Sequence, residues 1–201
     1  MLRIAFSEVK PAAKGPAIFI DRDGVINCRR PGDYVLDWSQ FIFTPGIRPA
    51  LKQLSSLRLP MIVISNQAAV GKGLLDLSGL RDITAKMHQA LLDDGTFLAA
   101  VYYCPHRPDE NCICRKPKPA LLRAAADDFN IDLTRSIFIG DSDSDVRAAQ
   151  AAGCNPVLFG GGLRACSDSP GWAANLPTAL SGIELFDVAA KCLQGRNDSN
   201  S

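Results

Sequence analysis

Two carboxylates one residue apart, Asp21 and Asp23 of Asp21-Arg22-Asp23-Gly24, close the apolar run Ala17-Ile18-Phe19-Ile20. Both charged at ~5 Å in an effective dielectric of ~20, they repel by ~3 kcal/mol. A divalent cation, a proton on one acid or a solvated turn each offsets that repulsion. Three readings stay open on these residues alone: a plain acidic turn, a metal site of the glycosyltransferase kind, or a carboxylate that accepts a phosphoryl group. A second acidic run, Gly140-Asp141-Ser142-Asp143-Ser144-Asp145, follows Ser136-Ile137-Phe138-Ile139 in the same way. If both apolar runs are strands of one parallel sheet, Asp141 shares a rim with Asp21 and Asp23, and the carboxylates suit magnesium. The spacing resembles half an EF-hand loop but lacks its glycine and terminal glutamate.

A different metal chemistry is written into Cys104-Pro105-His106 and Cys112-Ile113-Cys114. Three thiolates and one imidazole form a complete tetrahedral set for zinc, with no position left for water, so the site is expected to be structural. Directly after it, Arg115-Lys116-Pro117-Lys118-Pro119 sets cations at places that a metal-pinned loop would fix, and a pre-placed charge needs no reorganisation when an anion arrives. Ser65-Asn66-Gln67 ends a third apolar run, Met61-Ile62-Val63-Ile64. Its hydroxyl and amides suit phosphate oxygens, and equally suit a turn. The polar stretch from Asn27 to Trp38 carries Arg29 and Arg30 beside the acidic pair; it reads as a substrate loop or as a solvated one. Gly71-Lys72-Gly73 lacks the spacing of a P-loop.

The elements that must position these groups alternate. Strands are expected at 17–20, 61–64, 100–103, 136–139 and 156–159. Between them, helical spacing marks Gly46 to Leu57, the stripe Leu80, Ile83, Met87 and Leu91, then Leu121 to Phe129 after Pro119, and Val146 to Ala149. A last helix is expected near Ile183 to Leu193. This is α/β order. Residues 1–15 show no clear period and read as an N-terminal extension, 16–195 as one domain with a loop insertion at 104–114, and 196–201 as a disordered tail.

Composition fits an ordinary soluble globular protein: 201 residues, 47% of them hydrophobic, with 22 Lys and Arg against 21 Asp and Glu. Such a balance asks for neither nucleic acid nor an anionic membrane. No apolar run approaches ~18 residues, and Glu8, Lys10 and Lys14 interrupt any signal-peptide core, so a cytoplasmic protein is expected. The odd count of seven cysteines agrees with reduced thiols. Cys28, Cys154, Cys166 and Cys192 read as packing residues.

Together, Asp21-Arg22-Asp23-Gly24-Val25-Ile26-Asn27, Ser65-Asn66-Gln67, Lys116 and Gly140 to Asp145 resemble the four ordered motifs of the haloacid dehalogenase (HAD) superfamily of phosphatases. The inserted cysteine–histidine loop is similar to that of the subgroup holding heptose 1,7-bisphosphate 7-phosphatases and histidinol-phosphate phosphatase domains. That resemblance covers roughly residues 16 to 165. It implies a Rossmann-like, mainly parallel central sheet flanked by helices, with no large cap domain. Asp21 would be the nucleophile, and Asp23 the acid and base, its backbone carbonyl also on magnesium. Ser65 and Lys116 would hold phosphoryl oxygens, Asp141 would complete the magnesium site with Asp21, and Asp145 would support it. Asn66, Gln67, Arg115, Arg29 and Arg30 would contact substrate. Cys104, His106, Cys112 and Cys114 would hold zinc. The family often carries a glycine and an arginine where this chain has Ala69 and Lys72. The expected activity is magnesium-dependent hydrolysis of a small phosphorylated sugar by a monomer. Histidinol phosphate is the alternative substrate, and a zinc-loop binding module without catalysis the alternative class.

Overall fold

Ile18–Ile20 is apolar at every position because both faces of its strand are covered. Ile18 and Ile20 enter one core and Phe19 the other, all fully buried, the pattern of a central strand in a two-sided sheet. A computed structural model describes residues 1–7, 12–29, 34–160, 178–179 and 182–194. Arg30, Cys166 and the tail at 196–201 lie outside the described residues.

The sheet contains β1 (Leu2–Ala5), β2 (Ile18–Ile20), β3 (Met61–Asn66), β4 (Ala100–Cys104), β5 (Ile137–Gly140), β6 (Asn155–Phe159) and β7 (Thr178–Ala179). Their order is β1-β4-β3-β2-β5-β6-β7, with β2 through β7 parallel and β1 antiparallel to β4. On one face lie α1 (Ile47–Ser55), α3 (Leu77–Asp93) and α6 (Gly182–Gln194); on the other, α4 (Ala120–Phe129) and α5 (Asp143–Ala152). A single turn, α2 (Ala68–Gly71), leaves the end of β3. The helical stripe Leu80, Ile83, Met87 and Leu91 is buried as its spacing predicts, as are Leu51 and Leu54 of α1. Among the described residues, no separate cap domain covers the C-terminal ends of the strands.

Leu2–Ala5 is the element the sequence pattern missed. It lies in a stretch without period, yet pairs with β4 from Leu2–Tyr103 to Ala5–Ala100. Just beyond it, the Phe6 ring stacks on His88 at 3.6 Å between centroids. Long-range pairing to β4 and one aromatic contact fix this segment, and neither is visible as local periodicity.

Strand order decides where the chemistry falls. In the spatial series β4-β3-β2-β5, all four strands point the same way, so Cys104, Ser65, Asp21 and Asp141 arrive side by side at one rim. Replacing fully buried Leu51, which packs α1 into the core, by alanine should cost about 2–5 kcal/mol. A urea unfolding curve checks this, and an unchanged midpoint would contradict the packing described.

Candidate active site

Asp21 follows β2 immediately, with its N–H donating to Ile139 O of β5 at 2.9 Å, so the central pair of strands aims its carboxylate at the rim. Asp141 follows β5. Asp145 sits in the first turn of α5, where Ser142 caps the helix: Ser142 N–H and O–H both donate to Asp145 Oδ2, at 3.1 and 2.5 Å. Acceptor atoms of Asp21, Asp141 and Asp145 lie within 4.8 Å of one another, and all three residues are buried. Lys116, 4% exposed, reaches them from the loop after the cysteine cluster. Its Nζ lies 2.9 Å from Asp21 Oδ1 and 2.6 Å from Asp145 Oδ1, and donates to Ile64 O at 3.0 Å.

Three buried carboxylates meet one buried ammonium, with the half-exposed Arg29 guanidinium reaching Asp141 from the edge, so negative charge remains in the buried space for a divalent cation to cancel. The acids record the deficit. Burial pushes the Asp21 carboxyl up to about 7 against the pull of Lys116, with Asp145 and Asp141 adding to the rise. Burial likewise pushes Asp141 up to about 6, although Arg29 opposes it. Lys116 is held protonated: burial works to lower its pKa, and Asp145 and Asp21 outweigh that. Asp141 Oδ1 finds no hydrogen-bond partner among the described residues. Gly24, at φ +98°, runs so close that a Cβ there would meet Asp141 Oδ2 at 2.0 Å. A close backbone, an unpartnered buried oxygen and an all-oxygen donor set fit magnesium.

Asp23 takes another course. Its carboxylate is not part of the acidic trio; it turns to the residue between the two acids. Arg22, 1% exposed, donates from Nη2 to Asp23 Oδ1 at 2.9 Å and to Oδ2 at 3.0 Å, and from Nε to Oδ1 at 3.2 Å. Asn27 Nδ2 adds a bond at 3.0 Å and Gln67 Nε2 one at 2.7 Å. Burial would raise the Asp23 pKa, but the Arg22 guanidinium and these bonds together lower it. The repulsion expected between the neighbouring acids is thus answered at Asp23 by an arginine. Sequence reasoning passed over Arg22, because an arginine in a polar turn ordinarily faces water.

Asn66 and Gln67 lie where the motif puts them, with their amides occupied by other site residues. Asn66 Nδ2 donates to Lys116 O at 3.2 Å, and its Oδ1 accepts from Lys116 N–H at 3.1 Å. Gln67 Nε2 also donates to Ser65 Oγ at 3.1 Å, which leaves the Ser65 O–H to donate into the cleft. That cleft, of about 450 Å³, is lined by Asp21, Asp23, Ser65, Asn66, Arg115, Lys116 and Arg29. It is also lined by Tyr34 and Lys72, which come from separate loops and carry no shared spacing. Arg29 Nη1 lies 3.2 Å from Asp141 Oδ2, and Arg115 Nη1 donates to His106 O at 3.4 Å.

The cysteine cluster closes as its spacing predicts. Cys104 Sγ lies 3.6 Å from His106 Nδ1 and 3.5 Å from Cys112 Sγ; Cys114 Sγ lies 3.3 Å from His106 Nδ1 and 3.8 Å from Cys112 Sγ. Bonds of about 2.0–2.3 Å around one tetrahedral ion place ligand atoms about 3.5–3.8 Å apart, so the four side chains fit a zinc-sized cation. Lys118 Nζ donates to Cys112 O at 2.6 Å and Asn111 O at 3.2 Å, bracing the loop. Gly71 abuts it too: a Cβ there would meet Pro105 O at 2.7 Å.

A buried carboxylate with an ammonium beside it, at the carboxyl rim of a parallel sheet, defines a phosphoryl-transfer hydrolase. The family model for HAD-hydrolase-like proteins matches residues 113–178. A D-glycero-beta-D-manno-heptose-1,7-bisphosphate 7-phosphatase of Pseudomonas aeruginosa is 37% identical over 149 residues, covering 73% of this chain and 83% of the relative. One from Helicobacter pylori is 41% identical, covering 66% and 75%. The crystal structure of D,D-heptose 1.7-bisphosphate phosphatase from B. bronchiseptica, complexed with magnesium and phosphate, matches with a TM-score of 0.80 at 34% identity, covering 90% of this chain and 99% of that one. The chain belongs to the HAD-like phosphatases, in the family of these heptose-bisphosphate 7-phosphatases. Among the described residues, no helix is long and apolar enough to cross a membrane.

Because the Asn66 amide grips the Lys116 backbone on both sides, Asn66→Ala should displace the ammonium and lower kcat by about tenfold to a hundredfold. Steady-state phosphate release checks this; an unchanged kcat would show that Lys116 is held without it.

Proposed function

We propose that this chain hydrolyses a sugar phosphate monoester with magnesium through an aspartyl-phosphate on Asp21, and that its substrate is D-glycero-D-manno-heptose 1,7-bisphosphate, cleaved at the 7-position. The observation that carries the chemistry is the buried trio of acids, two of which, Asp21 and Asp145, share Lys116. The substrate reading is supported by the activity named for relatives that cover most of the domain.

Asp21 attacks phosphorus, the bond to the sugar oxygen breaks, and its electron pair stays on that oxygen. Asp23, held as a carboxylate in the free site by Arg22, Asn27 and Gln67, takes up a proton as the phosphate ester binds and gives it to the departing oxygen. It then takes one from the water that attacks the aspartyl-phosphate; phosphate leaves with Asp21 restored, and Asp23 releases that proton to solvent. Lys116 offers charge as much as hydrogen bonding, since three acceptors already surround its Nζ. Ser65 donates to a phosphoryl oxygen. Asp21, Asp141 and the Asp23 carbonyl would hold magnesium, which supplies Lewis-acid polarisation and cancels developing charge. Cys104, His106, Cys112 and Cys114 would hold zinc as a structural ion. Arg115 contacts the distal part of the substrate in this reading and Arg29 and Arg30 are further substrate contacts, while Asn66 and Gln67 act on it through Lys116 and Asp23. Residues 16–195, joined by the β1 strand Leu2–Ala5 that pairs with β4, form the phosphatase domain, working as a cytoplasmic monomer in surface-polysaccharide precursor synthesis.

Phosphate release from both anomers of the heptose bisphosphate, beside histidinol phosphate, tests the substrate. High turnover of one heptose anomer, abolished by chelator, is expected; turnover of histidinol phosphate alone would overturn the heptose reading and leave the mechanism standing. Asp21→Asn should remove all turnover while circular dichroism stays that of the wild type, and retained activity would eliminate Asp21 as nucleophile. Metal analysis of the purified protein should return one zinc per chain; thiols at Cys104, Cys112 and Cys114 that react freely without it would contradict the zinc assignment.

A further inference from the structure

We propose that Arg22 is a positioning residue that acts through Asp23, fixing that carboxyl group in the orientation from which it passes a proton to the leaving oxygen. This rests on the acid–base reading of Asp23 above. Arginine is almost never fully buried unless it is paired, and the Arg22 side chain is 1% exposed against 29% for Asp23. The pair therefore has a more buried end, Arg22, and a more exposed one, Asp23, both at the wall of the cleft. Arg22 Nε and Nη2 donate to Asp23, and the guanidinium also interacts with the Tyr103 side chain behind it.

What stands behind the guanidinium is rigid. Arg22 lies over the Tyr103 ring of β4, 5.9 Å from its centroid. Tyr103 is fully buried, and its hydroxyl lies 3.0 Å from Thr84 Oγ1 of α3, which itself donates to Leu80 O at 2.7 Å. Strand and helix therefore brace the arginine, and the arginine grips both oxygens of the acid. A planar fork fixes the plane of the carboxylate it holds, whereas an ammonium offers a point charge about which the carboxylate turns. Gln67 and Asn27 complete the clamp at 2.7 and 3.0 Å. Removing the fork frees the Asp23 side chain while leaving Asp21, Lys116 and the acidic trio untouched.

The test compares kcat/KM for the heptose bisphosphate and for p-nitrophenyl phosphate in the wild type, Arg22→Met, Arg22→Lys and Asp23→Asn. A sugar oxygen needs a proton as it departs, and nitrophenolate leaves as a stable anion, so losing an oriented acid falls on the sugar substrate. The ratio of the two constants cancels any loss of folded enzyme. Arg22→Met should lower that ratio about tenfold to a hundredfold, in the same direction as Asp23→Asn, and Arg22→Lys should recover little of it. A ratio unchanged in Arg22→Met but lowered in Asp23→Asn would make Arg22 an ion pair with no part in catalysis and overturn the proposal. Full recovery in Arg22→Lys would overturn the argument from orientation. A ratio unchanged in Asp23→Asn would remove the acid role of Asp23, and the proposal with it.

Discussion

An ammonium group buried at the rim of the sheet is the constraint on which the rest of this structure depends. Taking Lys116 out of water costs several kcal/mol unless opposite charge meets it, and Asp21 and Asp145 do so at 2.9 and 2.6 Å. The same contact keeps Asp21 available as a carboxylate, since burial alone drives it toward the neutral acid. Lys116 and Asp21 therefore stabilise each other's charged forms. Much of the neighbourhood exists to put that ammonium in place: the Asn66 amide grips its backbone, the Phe138 ring lies 5.3 Å from Nζ, and the four-ligand loop ends two residues before it. The four-ligand cluster is thereby tied to the position of Lys116 through the short stretch of chain that joins them.

Charge in the site is divided into two compartments with different solutions. Asp21 and Asp145 share one lysine and Asp141 meets only the half-exposed Arg29, so the buried trio remains short of positive charge and leaves a place for a divalent cation. Asp23 is balanced within the protein by Arg22 and stands apart from that deficit. Two acids separated by one residue thus meet different surroundings, one among the acidic trio and the other against a guanidinium. Such a division follows from backbone geometry: β2 ends at Ile20, the chain turns through Gly24 at φ +98°, and alternate side chains leave in different directions.

Much of this was legible in the sequence because it is local. The apolar runs before Asp21, Ser65, Cys104 and Asp141 mark the strands, and parallel order alone brings their ends together. Cys104, His106, Cys112 and Cys114 lie within one short loop, so their spacing nearly determines their geometry. Other features depend on contacts between distant segments. Leu2–Ala5 is a strand because β4 offers it an edge. Asn66 and Gln67, expected to touch substrate, have amides bonded to Lys116 and to Asp23, a fact set by the packing of loops 50 and 44 residues away in sequence. Tyr34 and Lys72 meet at the cleft wall, with Nζ 5.2 Å from the ring centroid, though nothing in their spacing joins them. Arg22 was hidden for another reason: composition places arginine outside, and only the Tyr103 platform shows why this one is inside.

The central claim, that Asp21 is the atom-donating nucleophile of a site prepared by Lys116, is tested most directly by trapping the intermediate. Enzyme mixed with phosphorus-labelled substrate and magnesium, quenched in acid within one turnover, should carry label on the peptide containing Asp21, and hydroxylamine should remove it as it does an acyl phosphate. Label on another residue, or a full burst of free phosphate with no labelled protein at any quench time, would contradict the account.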